Sequence, residues 1–351
     1  MKLTRVLLVA FTFAFLASCT NDDNENVSKG NYDNGVFILN EGNGSGNSSV
    51  SFLGDDLTTF KQDAYGAENP GDFFGLYVQS IFFDGDKAYV IAGGSNVINV
   101  VNRYTFKLLA KIETGLITPR YGVVKNGKAY VTNANTYAYA NPATGNTDDF
   151  VAVIDLATNK VESKINLNAT ANRIVLEGDK LYITEPYNSD KVLVVNTVTK
   201  ALETPITVGS SANTMEVKNG ILYVLASPYG SASKIVKVKL SDKSITEVVF
   251  PSALTDAGNL DIYGSKIYFT KGTGVYSMDI AATQPSGKLI FNYSSTSQYG
   301  IYGFAVENDK IFIAHVEDFV SNSKAYVYSL TGTLQKEVTV GVGPNGFYFN
   351  N

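Results

Sequence analysis

The chain has 351 residues, 44% of them hydrophobic and 17% charged, a composition that suits a folded core rather than a disordered tract. Its 28 basic residues against 33 acidic ones give a net charge of −5, which argues against nucleic acid or an anionic lipid surface as the partner. A single cysteine excludes an internal disulfide, and a single histidine excludes a histidine-ligated metal centre.

Residues 1–18 read as a targeting segment, a lipoprotein signal peptide. Lys2 and Arg5 give it a charged start, residues 6–17 are predominantly apolar, and Leu16-Ala17-Ser18-Cys19 ends it. That apolar run is short of the roughly 20 residues a membrane span needs. Leu-Ala-Ser-Cys resembles the lipobox of bacterial lipoproteins, which makes Cys19 the expected lipidated residue. The alternative is an ordinary signal peptide followed by an unmodified cysteine. Residues 19–33 form an acidic, flexible tether beginning Cys19-Thr20-Asn21-Asp22-Asp23-Asn24-Glu25. It resembles the acidic export tag of surface-displayed lipoproteins of Bacteroidetes, although a plain linker has the same composition. Without residues 1–18 the balance is 26 basic to 33 acidic residues, a net charge of −7.

Residues 34–351 read as one domain built by repetition. A tight turn, an apolar residue and an aromatic recur as Asn34-Gly35-Val36-Phe37, Gly85-Asp86-Lys87-Ala88-Tyr89 and Asn126-Gly127-Lys128-Ala129-Tyr130. The same marker returns before Tyr182, Tyr223, Tyr268 and Phe312, at gaps of 52, 41, 52, 41, 45 and 44 residues along the series. Asn-Gly and Gly-Asp supply the positive φ of two-residue hairpin turns. Around Tyr182 the strands fall at 172–176, 180–184, 191–196 and from 201, a four-stranded meander whose strands are termed A to D. A period of about 40–50 residues with four strands per unit predicts a β-propeller. Seven markers predict an all-β, seven-bladed propeller of four-stranded antiparallel blades. Blade one lacks a strand A before Asn34, and Gly343-Pro344-Asn345-Gly346-Phe347-Tyr348-Phe349 looks like a strand A with no strand B after it. Pairing the two would close the ring and remove an open edge. Only residues 254–257 and 279–282 suggest single helical turns.

In such a meander the A–B and C–D turns lie on one face and the B–C and D–A loops on the other. The first set is short, whereas the second is long and aromatic, which marks the binding face. Phe74 and Tyr77 lie in the loop into blade two, and Tyr137 and Tyr139 in the B–C loop of blade three. Tyr121, Tyr187, Tyr229, Tyr299 and Tyr302 belong to the same set, of which about half is expected to pack between blades. Ten residues before the marker aromatic lie Gln79, Arg120, Asn172 and Asn213; Asn259 is displaced by a step, and Tyr302 and Asn345 complete a polar ring at the channel mouth. Asparagines that merely cap the turn into strand A would give the same pattern. Arg120 and Arg173 are two of the three arginines beyond residue 18, and both fall at this rim. His315, near Glu317 and Asp318, is expected to be a rim hydrogen-bonding group. Catalytic motifs of the G-x-S-x-G or P-loop type are missing. Asp148-Asp149 and Asn188-Ser189-Asp190 offer oxygens to calcium, but acidic loop residues are ordinarily just solvated.

Gly35-Val36-Phe37-Ile38-Leu39-Asn40-Glu41-Gly42-Asn43, Gly75-Leu76-Tyr77-Val78-Gln79-Ser80 and Thr118-Pro119-Arg120-Tyr121 resemble segments of Bacteroidetes propeller lipoproteins of the YncE-like, DUF5074-type group. The resemblance covers the whole domain. It implies an outer-membrane, cell-surface lipoprotein, held by its lipid anchor alone and monomeric outside any transporter complex. Members of the group include proteins that capture cobalamin and pass it to a TonB-dependent outer-membrane transporter. Cobalamin or another corrinoid is therefore the expected ligand, with no permanently bound cofactor and no catalysis. The alternatives are haem or a siderophore as the captured ligand, a protein-interaction or glycan-adhesion propeller, and a calcium-dependent, lactonase-like hydrolase.

Overall fold

The computed structural model describes residues 28–135, 148–185, 189–285, 287–295 and 297–351, with the side chain of Asn213 outside the description. Seven four-stranded antiparallel sheets are present, each in the order A-B-C-D. Strand A is Pro344–Asn350 in blade one, Val78–Asp84 in blade two, Pro119–Lys125 in blade three and Ile174–Glu177 in blade four. In blades five to seven it is Ala212–Lys218, Gly258–Tyr263 and Ile301–Glu307. Successive strands A adjoin one another and form the inner ring around the channel. The C-terminal strand closes the propeller by pairing antiparallel with Gly35–Asn40, Tyr348 opposite Phe37.

The turn chemistry behind the count of seven is present. Asn126 and Gly127 hold φ of 50° and 71°, and Asn219 and Gly220 hold 52° and 72°, values that β-branched residues avoid. The seven marker aromatics are all buried in the middle of strand B. They feed seven apolar clusters, each between two neighbouring blades, so what the repeat conserves in space is the inter-blade core. Each buried Tyr or Phe removes a large apolar area from water, worth about 1.5–3 kcal/mol.

The inner edge of strand A has no fifth strand to satisfy it, and side chains from the preceding blade take that place. Asn345 Nδ2 of blade one donates to the Val78 carbonyl at 2.9 Å, and the Ser80 hydroxyl of blade two donates to the Arg120 carbonyl at 2.7 Å. The Thr132 hydroxyl of blade three donates to the Asn172 carbonyl at 2.7 Å. Glu216 Oε2 accepts from the Ile262 amide, and Asp261 Oδ2 from the Val306 amide, both at 2.8 Å. Otherwise unpaired backbone groups are thereby satisfied around the channel.

Helical structure differs from expectation. A five-residue helix spans Ala64–Glu68, where Asp63 caps the N-terminus by accepting from the Gly66 amide. Short 3-10 turns span Gly93–Ser95 and Ser252–Leu254, the latter ending where a turn over 254–257 was expected, while strand C runs on to Asp279. The Ala64 helix forms because Tyr65 anchors it, buried and stacked on Phe74 at 4.0 Å between centroids. Among the described residues no helix is long and apolar enough to cross a membrane.

Candidate functional site

Strand A begins irregularly in nearly every blade, and that irregularity builds the site. Gln79 stands unpaired between Val78 (opposite Ala92) and Ser80 (opposite Ile91). Asn213, Asn259, Tyr302 and Asn345 occupy the corresponding single-residue bulges of blades five, six, seven and one. In blade three two residues, Arg120 and Tyr121, fall between the pairs Pro119–Asn133 and Gly122–Val131. In blade four the ladder starts at Ile174, just past Asn172 and Arg173. A β-bulge breaks the in–out alternation and re-aims the extra side chain. The residue ahead of the strand has left-handed φ in Tyr77 (52°), Thr118 (43°), Ser211 (59°), Gly300 (62°) and Gly343 (62°). The chain therefore kinks at the channel mouth, and Asn345, Gln79, Arg120, Asn172, Asn259 and Tyr302 bring polar side chains to it from blades one to four, six and seven.

The result is a bowl of about 720 Å3 on the long-loop face, lined among others by Glu41, Tyr77, Gln79, Arg120, Tyr121 and Asn172. Arg173, Asn259, Tyr302 and Asn345 complete its polar wall. That volume lies within the range of about 300–1,000 Å3 seen for small-molecule sites. Two interlocked contacts join blades three and four: Arg120 Nε donates to Asn172 Oδ1 at 2.9 Å, and the Arg173 guanidinium lies 4.8 Å from the Tyr121 ring centre. Gln79 Nε2 donates to the Tyr121 hydroxyl at 3.0 Å. On the opposite side Asn259 Nδ2 donates to the Thr270 hydroxyl at 3.0 Å.

Tyr302 and Glu41 form the acidic corner. The Tyr302 hydroxyl donates to Glu41 Oε2 at 2.6 Å. Burial pushes the Glu41 carboxyl above its ordinary range, opposed by the Tyr302 hydrogen bond and the charge of Arg120. Burial, with Glu41 beside it, holds the Tyr302 phenol protonated far into alkaline solution. Phe319 packs edge-on against Tyr299 and Tyr302, centroids 4.9 and 5.2 Å apart, and extends the aromatic rim. Tyr77 is wedged on the other flank, where a Cβ on Gly94 would meet its ring at 2.5 Å.

Several expected site residues are placed elsewhere. Phe74 is not at the bowl: it stacks on Tyr65 inside the core between blades one and two. His315 is not a rim group. It ends strand B of blade seven, 4% exposed, with Nδ1 3.0 Å from the Tyr293 hydroxyl and Nε2 3.2 Å from Glu317. Tyr229, 96% exposed, sits on a loop tip away from the lining. Tyr299 is not among the described lining residues and packs edge-on against Phe319. Tyr137, Tyr139, Tyr187 and Cys19 lie outside the described residues, as does the side chain of Asn213. Glu41 was not singled out in the sequence, because its partner Tyr302 is 261 residues away. Among the described residues no group of three or more His, Cys, Asp or Glu is arranged to hold a metal.

A family model described as "Domain of unknown function (DUF5074)" matches residues 34–350. A comparison with curated protein sequences finds no match. Among solved structures, a quinonprotein alcohol dehydrogenase-like protein from Bacteroides thetaiotaomicron is similar, with a TM-score of 0.68 and 17% identity over 91% of this chain and 79% of that one. A putative 6-phosphogluconolactonase from Bacteroides fragilis has a TM-score of 0.62 at 14% identity, covering 91% and 99% of the two chains. The dihydro-heme d1 dehydrogenase NirN, in complex with DHE, has a TM-score of 0.57 at 12% identity over 90% and 75%. At these identities the likeness is one of fold.

Proposed function

The chain belongs to the DUF5074 family, and from that premise we propose that it binds rather than transforms its ligand. In this proposal Cys19 anchors a cell-surface lipoprotein of the outer membrane. The bowl captures a bulky nutrient, and the propeller passes it to a TonB-dependent outer-membrane transporter. The observation that carries the proposal is the convergence of bulge residues from successive blades on one bowl of about 720 Å3. Each bulge interrupts its ladder and re-aims the extra side chain, and Gln79, Asn259, Tyr302 and Asn345 all line the bowl. Gln79, Asn172, Asn259 and Asn345 supply amide donors and acceptors, and Tyr77, Tyr121 and Tyr302 supply aromatic faces. A corrinoid, a flat macrocycle edged with amides, suits that inventory. NirN, named for a macrocyclic haem, has a similar fold, which is an analogy at the level of fold.

A second reading, a protein- or glycan-binding propeller, is favoured by one observation, the fully exposed Tyr229 outside the bowl. The likeness to putative lactonases is a fold-level likeness and carries no reaction to this chain.

Hydrogen exchange with and without cyanocobalamin separates these readings. Capture in the bowl predicts slowed exchange at the starts of strands A, in 78–81, 119–122 and 301–304. Protection confined to the loop around Tyr229, or none at all, contradicts it.

A further inference from the structure

Two of the three arginines beyond residue 18 line one bowl in an otherwise acidic chain. The molecule's lysines repeatedly pair with carboxylates, as in Lys111–Asp72, Lys180–Glu203 and Lys234–Glu247. Among the described residues neither Arg120 nor Arg173 does so. Arg120 uses Nε to reach Asn172 Oδ1, and Ser80 fixes its backbone carbonyl, so the guanidinium plane is held. Its terminal nitrogens have no described acceptor. Arg173 lies over the Tyr121 ring, and its Nε is enclosed without a hydrogen-bond partner. A guanidinium carries five donors, and enclosing one unmatched is costly unless an acceptor arrives. Among the described residues Glu41 is the one carboxylate lining the bowl, and it already accepts from Tyr302. Asp149 stands behind Arg120, buried and committed to the amides of Asn135 and Ala171 at 2.9 and 2.8 Å.

Resting on the capture reading above, we propose that the ligand presents an anionic oxygen group, a phosphate or a carboxylate, to the Arg120–Arg173 pair, with Gln79 and Tyr121 beside it. Arginine matches such groups because its planar fork donates two parallel hydrogen bonds to two oxygens. Stacking over Tyr121 and the bond to Asn172 orient the two forks before the ligand arrives, which lowers the ordering entropy lost on binding. The rest of the ligand then lies across the amide and tyrosine wall.

Three arginines give three side-chain Nε–Hε signals in a nitrogen-15 NMR spectrum of the chain from residue 20 onward, which contains every strand of the closed ring. Inorganic phosphate and acetate are titrated separately at constant ionic strength. The proposal predicts that the Arg120 and Arg173 signals move and saturate while Arg103 stays still. Arg173→Gln should weaken the response at least tenfold. A response to phosphate alone assigns a phosphate group, and one to acetate alone a carboxylate. Silence at all three arginines, or equal movement of all three, overturns the proposal. Titration with cyanocobalamin in the same samples keeps the two claims apart. Cyanocobalamin binding with silent arginines would leave capture standing without the anion site. Saturable phosphate binding without cyanocobalamin binding would leave the anion site and remove the corrinoid.

Discussion

Tyr302 of blade seven donates its hydroxyl to Glu41 of blade one at 2.6 Å, a contact by which the last blade of the ring meets the first at the mouth of the bowl. It matters because both residues come from local irregularities: Tyr302 from a strand bulge and Glu41 from the loop after Asn40. Tyr302→Phe removes the hydrogen bond that draws the Glu41 carboxyl down, so the Glu41 pKa should rise further. The stability cost should be small, about 1 kcal/mol, because the pair is partly exposed. Carboxyl-carbon NMR titration of Glu41 in both proteins checks the direction.

Glu216 and Asp261 predict the pH dependence. Burial first, and then the neighbouring Asp261, pushes Glu216 up to about 8; burial likewise pushes Asp261 up to about 6. Groups raised in the folded state favour folding while protonated. Their contribution is complete below the unfolded values near about 4 and is lost as pH rises through the folded ones. The melting temperature should therefore fall between pH 5 and about 9. Glu216→Gln keeps an acceptor for the Ile262 amide but cannot ionise, so its melting temperature should fall less over that range. Identical slopes for the two proteins would contradict this.

The closing strand is tied down at its end. Asn350 is fully buried, and its amide donates to the Tyr32 carbonyl and to the Arg103 carbonyl, the latter at 2.9 Å. Asn350→Ala should cost about 2 kcal/mol, as expected for buried acceptors left unmatched. Removing residues 344–351 strips blade one of its inner strand and should abolish cooperative melting. Thermal unfolding followed by circular dichroism tests both, and a truncated chain that melts like the full one would contradict the closure account.

His315 provides a control on the site. Its ring is buried against Tyr293, so His315→Ala should lower stability while leaving ligand affinity within twofold. A loss of affinity at unchanged stability would return His315 to the site.

The blades were legible in the sequence because each must bury one aromatic at the same point of strand B, and Phe37, Tyr89 and Tyr130 recur at a readable spacing. The polar ring was visible for the same reason, Gln79, Arg120 and Asn172 falling ten residues ahead of that aromatic. That they are bulge residues was not visible, since a bulge is set by two strands together. Phe74 and His315 looked like rim residues because they sit beside loops, yet their burial depends on Tyr65 and Tyr293, partners that no local pattern announces. Glu41 needed the ring to close before its role appeared.

Anchoring rests on Leu16-Ala17-Ser18-Cys19. Cys19→Ser should release the protein from the membrane fraction and end incorporation of labelled fatty acid. Retention of both in the variant would contradict a lipid anchor at Cys19.

The most direct test is calorimetric titration of the chain from residue 20 with cyanocobalamin, beside Arg120→Ala and Lys160→Ala variants. Arg120 lines the bowl, whereas Lys160 starts strand D of blade three at the exposed C–D turn of the opposite face. The account predicts a one-to-one complex, weakened at least tenfold by Arg120→Ala and unchanged by Lys160→Ala, since anchors of this kind carry much of the binding energy. A flat titration would contradict corrinoid capture, and weakening by Lys160→Ala but not Arg120→Ala would contradict the bowl itself.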